Sequence, residues 1–290
     1  MKKFSILCLT ILTVLVLAAC GSNISNADSS EDEPVKVKIG VNGADGAQWP
    51  LLKEKAAKEG IEIELIEFAD YTLPNNALAH GEIDINAFQH IAFLGQYVKE
   101  SGEDILPIGS TMFAPMGLYS EKLEDISELK EGDKIAIPDD PSNQARALRL
   151  LESTDLIKLA DDFGMFGDPS KITENQLNLE IIPMTAQQTP RVLPDVAGSI
   201  INNGVAGQAG LSPADDPILK EDEDNDDIHP YVNIIATSAE NKENKTYKRV
   251  VELYQEADIE QAIKDDTNGG SILVKLTQAQ LDAAFEELKK

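Results

Sequence analysis

The chain has 290 residues, 51 of them acidic against 25 lysines and arginines, for a formal net charge of −26 at pH 7. So acidic a surface repels nucleic acid and anionic lipid, and no basic stripe offsets it. Hydrophobic residues make up 42% of the chain, enough for two medium domains or one large one held by their own cores.

Lys2 and Lys3 precede an apolar run over 4–17 that ends in Leu17-Ala18-Ala19-Cys20-Gly21. A cationic start, a short apolar core and small residues before a cleavage point describe an export signal. The run falls short of the about 20 residues that a membrane-spanning helix needs. Leu-Ala-Ala-Cys-Gly is also the lipobox pattern, in which Cys20 is acylated and becomes the first mature residue. The expectation is therefore a cleaved signal over 1–19 and a lipid anchor on the extracytoplasmic face of the cell membrane. A secretory signal with a chance cysteine is the blander reading. The only other cysteine, Cys8, lies inside the signal, so the mature chain has no pair to oxidise. Residues 20–34, rich in Ser, Asn, Asp and Glu, read as a flexible tether.

The folded part opens with the alternating strand Val35-Lys-Val-Lys-Ile-Gly-Val41. The pattern then predicts a helix over 47–60, a strand over 61–68, a short helix over 74–80, a short strand over 83–87 and a helix over 91–101. A strand or two follow within 105–119, then a strand over 134–137. A helix over 142–154 has Ser142 or Asn143 placed to cap it. Strands over 177–183 and 197–201 flank a short helix over 188–192, and 231–237 is the last strand. Helices over 247–264 and 277–288 close the chain. This alternation predicts parallel, helix-covered sheets. The acidic run over 215–227 lacks the central glycine and terminal glutamate of a calcium loop and reads as solvated, so no metal is expected.

Catalytic signatures are missing. There is no Gly-x-Ser-x-Gly elbow, phosphate-binding glycine loop or His-Glu-x-x-His, and His80, His90 and His229 stand far apart. Neither an enzyme nor a cofactor is expected. Arginine is more informative, because it occurs only at 146, 149, 191 and 249. Its planar fork can grip a carboxylate with two parallel hydrogen bonds. Arg146 lies one turn into the helix after the 134–137 strand and leans over that strand's carboxyl end, where open α/β sheets bind ligands. A surface pairing with Asp139 or Asp140 is the equally weighted alternative. Phe88-Gln89-His90, Asn202-Asn203-Gly204 and Asn233 share that topological position. Singly they read as a helix cap, a turn and a strand-end hydrogen bond. Together they describe a cleft with one cation, several amides and aromatic walls, suited to a zwitterion with an apolar side chain.

Asp70-Tyr-Thr-Leu-Pro-Asn75, Ile85-Asn-Ala-Phe-Gln-His90, Ile137-Pro-Asp-Asp-Pro-Ser-Asn143 with Arg146, Thr189-Pro-Arg191, Gly210-Leu-Ser-Pro213 and Pro230-Tyr-Val-Asn233 resemble, in family order, the NlpA family of methionine-binding lipoproteins of ABC importers. The resemblance implies a type II periplasmic-binding-protein fold, two α/β lobes closing like a hinge about two crossovers. With crossovers near Met116 and Thr237, 35–116 and 238–290 form one lobe and 117–237 the other. It also implies that Arg146 holds an amino-acid carboxylate, that Asn202 and Asn233 surround the ammonium, and that Tyr71, Phe88, His90 and Phe93 line the side-chain pocket. The implied partners are an ABC permease and its ATPase. Two departures bear on the ligand. Ile91-Ala92-Phe93 replaces the family's Lys-Pro-Tyr, and Val205 stands where an aromatic is common. Both are expected to widen the pocket toward a methionine-containing dipeptide or another apolar amino acid. A non-transport adhesive lipoprotein is the remaining alternative.

Overall fold

Along Val35–Val41, Val37, Ile39 and Val41 are buried while Lys36 and Lys38 face solvent, so alternation fixes which face meets the core. The computed structural model describes residues 33–223 and 226–289; the signal over 1–19, Cys20 and most of the tether lie outside the described residues. Val35–Val41 pairs in parallel with Ile61–Glu67 and Ile85–Asn86. It belongs to a six-stranded sheet ordered Ile272–Leu273, Ile105–Phe113, Val232–Ser238, Ile85–Asn86, Val35–Val41, Ile61–Glu67. Helices Gln48–Ala57, Lys245–Tyr254 and Ala257–Asp266 cover one face through Trp49, Leu52, Val250, Tyr254 and Ile259. Ile91–Ser101 and Gln278–Leu288 cover the other through Ile91, Leu94, Leu281 and Phe285.

A second lobe is built on a five-stranded sheet ordered Leu219–Lys220, Gly117–Tyr119, Gly198–Ile201, Lys134–Pro138, Glu180–Met184. Its core joins Leu118, Ile135, Ile137 and Ile200 to Ala147, Leu148 and Leu151 of the helix Pro141–Glu152. That helix is capped by neither Ser142 nor Asn143. Asp140 does it, accepting from the Asn143 N–H at 3.0 Å, with Pro141 at the first helical position, where a missing N–H costs nothing.

Two expectations are corrected by the sheet order. Val232–Ser238 is hydrogen-bonded between strands of the first sheet, so the chain has returned to that lobe before residue 232, not at 237. It runs antiparallel to both neighbours, because it re-enters from the other lobe and not through a local helical crossover. The first sheet is therefore mixed. Among the described residues the crossovers comprise 114–116 and, in the second passage, 221–223 and 226–231. The single helix expected over 247–264 is broken at Gln255-Glu256, and Asn244 caps its first half.

Gly109 sets how closely the helix Lys245–Tyr254 approaches the first sheet. A Cβ there would lie 2.2 and 2.8 Å from the two methyl carbons of Val251. A β-branched valine buried against a sheet has little freedom to yield. Gly109→Ala is expected to lower the free energy of unfolding by about 1–3 kcal/mol, read as a reduced denaturation midpoint with an unchanged slope. An unaltered midpoint would show that the helix shifts freely.

Candidate functional site

Between the lobes lies a cavity of ≈ 580 Å³, and Tyr71, Phe88, His90, Phe93, Arg146, Asn202 and Asn233 all line it. A buried amide cluster positions the first-lobe members. The Asn75 side-chain oxygen accepts from Asn86 Nδ2 at 2.9 Å and Gln89 Nε2 at 2.7 Å. Asn75 Nδ2 donates to Gln89 Oε1 at 2.8 Å. These bonds clamp both ends of the segment carrying Phe88, and they tie it to the helix Leu73–Ala79.

His90 caps the helix Ile91–Ser101: its Nδ1 accepts from the Phe93 N–H at 3.1 Å. The other nitrogen, Nε2, lies 3.2 Å from Asn143 Oδ1 in the second lobe. Asn143 Nδ2 donates to both Asp140 carboxylate oxygens, at 3.0 and 3.1 Å, which leaves Oδ1 to face the imidazole. His90 is therefore neutral, with its proton on Nε2. Burial, reinforced by the Arg146 charge, holds its pKa down to about 3. Both ring nitrogens are engaged, so the imidazole serves as cap and latch.

Asn143 Oδ1 also accepts from Asn202 Nδ2 at 2.7 Å. That bond turns the Asn202 amide so that its own oxygen is buried without a hydrogen-bond partner. An orphaned buried acceptor at a cavity wall is costly unless a donor fills it. Asn233 arrives opposite, in a bridge with His90.

Four rings pack into a cage. Phe93 meets Phe88 at 5.8 Å, Tyr71 at 6.0 Å and His90 at 6.2 Å, each edge to face. Phe88 and Tyr71 are 6.1 Å apart. Burial pushes the pKa of the Tyr71 hydroxyl above the ordinary phenol value, so it stays protonated. Val205, expected to widen this pocket, is buried instead in a cluster with Tyr119, Leu193 and Ile201, with Tyr71 packed against it. It is not among the residues lining the cavity.

Arg146 pairs with neither Asp139 nor Asp140. Its Nε donates to Glu221 Oε1 at 2.7 Å, and its Nη2 to Glu221 Oε2 at 2.5 Å and to the Ala114 carbonyl at 3.0 Å. The guanidinium carbon lies 4.7 Å from the Tyr231 ring centre and 5.5 Å from that of Phe113. Sequence reasoning missed Glu221, which belongs to the acidic run read as solvated but is largely buried. It also missed Asn143 as more than a cap. Arg149 points elsewhere, donating to the Gly164 carbonyl at 2.7 Å and lying over Phe163.

Further hydrogen bonds cross the cleft. Asn203 Nδ2 donates to the Gly270 carbonyl at 2.7 Å, Gln208 Nε2 to Asn42 Oδ1 at 3.2 Å, and the Ser142 N–H to Gln96 Oε1 at 3.2 Å.

Comparison with known proteins places this geometry. A model of the family described as NlpA lipoprotein matches residues 37–274. The D-methionine-binding lipoprotein MetQ of Salmonella typhimurium is 40% identical over 262 residues, covering 89% of this chain and 93% of that one. Protein PG110 from Staphylococcus aureus, solved by crystallography, superposes with a TM-score of 0.85 at 45% identity, covering 87% of this chain and 99% of that one. A nutrient-binding protein from Burkholderia cenocepacia, solved bound to methionine, superposes with a TM-score of 0.78 at 37% identity, covering 82% and 99%.

The neutral imidazole makes a test in acid. The pKa of His90 is depressed in the folded protein, so its contribution to stability is complete above about pH 6.5 and is lost as pH falls toward about 3. Burial raises the Asp140 pKa, which works in the opposite sense, so wild type must be compared with a variant. His90→Asn keeps a capping oxygen and removes the titration. The stability advantage of wild type over this variant is expected to shrink below pH 6.5 by up to about 1.4 kcal/mol per pH unit. Parallel stability curves from urea unfolding would contradict a buried neutral His90.

Proposed function

The chain belongs to the NlpA lipoprotein family, and from that premise we propose that it is the lipid-anchored substrate-binding protein of an ABC importer, which captures methionine between its lobes and delivers it to the permease. The observation that carries this reading is the meeting, in one interlobe cavity, of a buried guanidinium, an unpartnered amide oxygen and a cage of aromatic rings. These are the complements of a carboxylate, an ammonium and a soft apolar side chain. The ligand carboxylate meets Arg146. The ammonium donates to Asn202 Oδ1, with Asn233 beside it. The thioether enters the cage of Tyr71, Phe88, His90 and Phe93, where sulfur gains about 0.3–1.5 kcal/mol against aromatic edges.

A methionyl dipeptide is the second reading. Beyond the cage the cavity is also lined by Asn42, Gly43 and Gln48 and by Asp266, Thr267 and Asn268, two segments joined by the Ala47 N–H donating to Asp266 Oδ2 at 3.1 Å, which leaves room beyond a single residue. Delivery requires an anchor as well as a site. No helix among the described residues is long and apolar enough to cross a membrane, and acylation of Cys20 supplies the attachment in this reading.

Calorimetry on ligand-stripped protein tests the capture. Methionine is expected to bind more tightly than leucine or polar amino acids, and equal affinities would remove methionine as the substrate. Arg146→Ala is expected to cost about 2–5 kcal/mol of binding, while Arg149→Ala changes it little. Equal losses at the two positions would refute the assignment of Arg146. The anchor has its own test: Cys20→Ala should release a folded protein from the membrane fraction with its methionine affinity intact. Retention of that variant in the membrane, with no fatty-acid label on the parent, would refute it.

A further inference from the structure

Arg146 does not reach the cavity as a free cation. Glu221 holds its Nε and Nη2 edge with two bonds, and the Ala114 carbonyl takes a second bond from Nη2. A guanidinium has five N–H groups, so Nη1 is the edge not committed to Glu221 or Ala114. The Glu221 carboxylate is fixed in turn, since its Oε2 also accepts from the Met116 N–H at 2.7 Å. The backbone N–H of Glu221 donates to the Met116 carbonyl at 3.1 Å. Arginine, glutamate and both crossovers thus form one unit at the hinge.

We infer that Glu221 is the positioning and specificity-determining residue of this site: by holding Arg146 edge-on and compensating its charge, it makes the cavity select a zwitterion over a simple anion. This rests on the proposed capture of an amino acid. A ligand carboxylate arriving at Nη1 meets a cation already in contact with its counter-charge, so an anion alone gains little net attraction. A zwitterion brings its own ammonium, which the Asn202 oxygen and the negative charge of Glu221 both favour. His90, neutral and fully bonded, adds no charge to this balance.

The test compares methionine with 4-(methylthio)butanoate, which keeps the carboxylate and thioether but lacks the ammonium. In wild type, methionine is expected to bind far more tightly. In Glu221→Gln the ratio of the two dissociation constants is expected to shift toward the anion by about tenfold or more, because removing one contacting charge frees the guanidinium field. A structural role alone would weaken both ligands equally, and an unchanged ratio overturns the inference. Nitrogen-15 arginine NMR on wild type makes the test independent of the variant's folding. The Arg146 Nε–H resonance, identified by its loss in Arg146→Lys, should stay in place and exchange slowly at saturating methionine. A large shift would mean that the ligand displaces Glu221, which also overturns it. Failure of wild type to bind methionine would sink the proposed ligand instead, while the resonance of the ligand-free protein still reports whether Glu221 holds Arg146.

Discussion

A guanidinium buried where two crossovers meet constrains everything around it. Arg146 and Glu221 are 4% and 16% exposed, and taking such charges out of water is repaid only if geometry and the remaining hydrogen bonds are nearly complete. The chain meets that demand with main-chain groups of the first crossover, the Ala114 carbonyl and the Met116 N–H. The rings of Phe113 and Tyr231 flank the guanidinium. Phe113 closes the first-lobe strand before one crossover, and Tyr231 ends the other. The ion pair therefore joins the two chain passages about which the lobes meet, and its Arg146 is the cation among the residues lining the cavity. The group that faces the cavity is thus held by the same contacts that join the crossovers.

A second chain of dependence runs through uncharged groups. Asp140 caps a second-lobe helix and, with the same carboxylate, fixes the Asn143 amide. Asn143 then decides the His90 tautomer across the cleft and the orientation of Asn202. Flipping Asn143 would set an N–H against the His90 and Asn202 donors, so one carboxyl group settles three neutral groups. The unpartnered Asn202 oxygen is the free end of that chain. It is left over because every other acceptor in the series has been used.

What could be read from the sequence followed from whether the deciding partner was local. The alternation of Val35–Val41 and the helix Ile91–Ser101 depend on nearest neighbours and were legible. Phe88, His90, Arg146 and Asn202 of the cavity-lining set were legible too, because each sits just after a predicted strand or in the first turn of a predicted helix, and those ends converge in open α/β sheets; Tyr71 and Phe93 came from the family resemblance. Glu221 was not. It is one carboxylate in a run of them, and nothing local separates it from Asp222 or Glu223. Its partner lies 75 residues earlier. The sheet joined by Val232–Ser238 was likewise hidden, since alternation gives a strand's faces and not its neighbours. Val205 misled because its place beside Asn202 in sequence puts it one turn along the helix Asn203–Gln208, where it faces the core.

The contacts across the cleft also bear on release. His90 with Asn143, Asn203 with the Gly270 carbonyl, Gln208 with Asn42, and the Ser142 N–H with Gln96 are all bonds between uncharged groups. Each replaces bonds to water when the lobes meet, so each contributes only about 0.5–1.5 kcal/mol net. The strong, desolvated charge pair lies at the hinge, where it need not break as the lobes part. A closure held by such modest bonds and by one exposed amide–carboxylate bond, Asn268 Nδ2 to Asp215 Oδ2 at 2.9 Å, about a hinge held by a buried ion pair, is biased enough to be shifted by a ligand that touches both lobes. That division of strong and weak contacts suits the reversible capture of a small molecule proposed for this cavity.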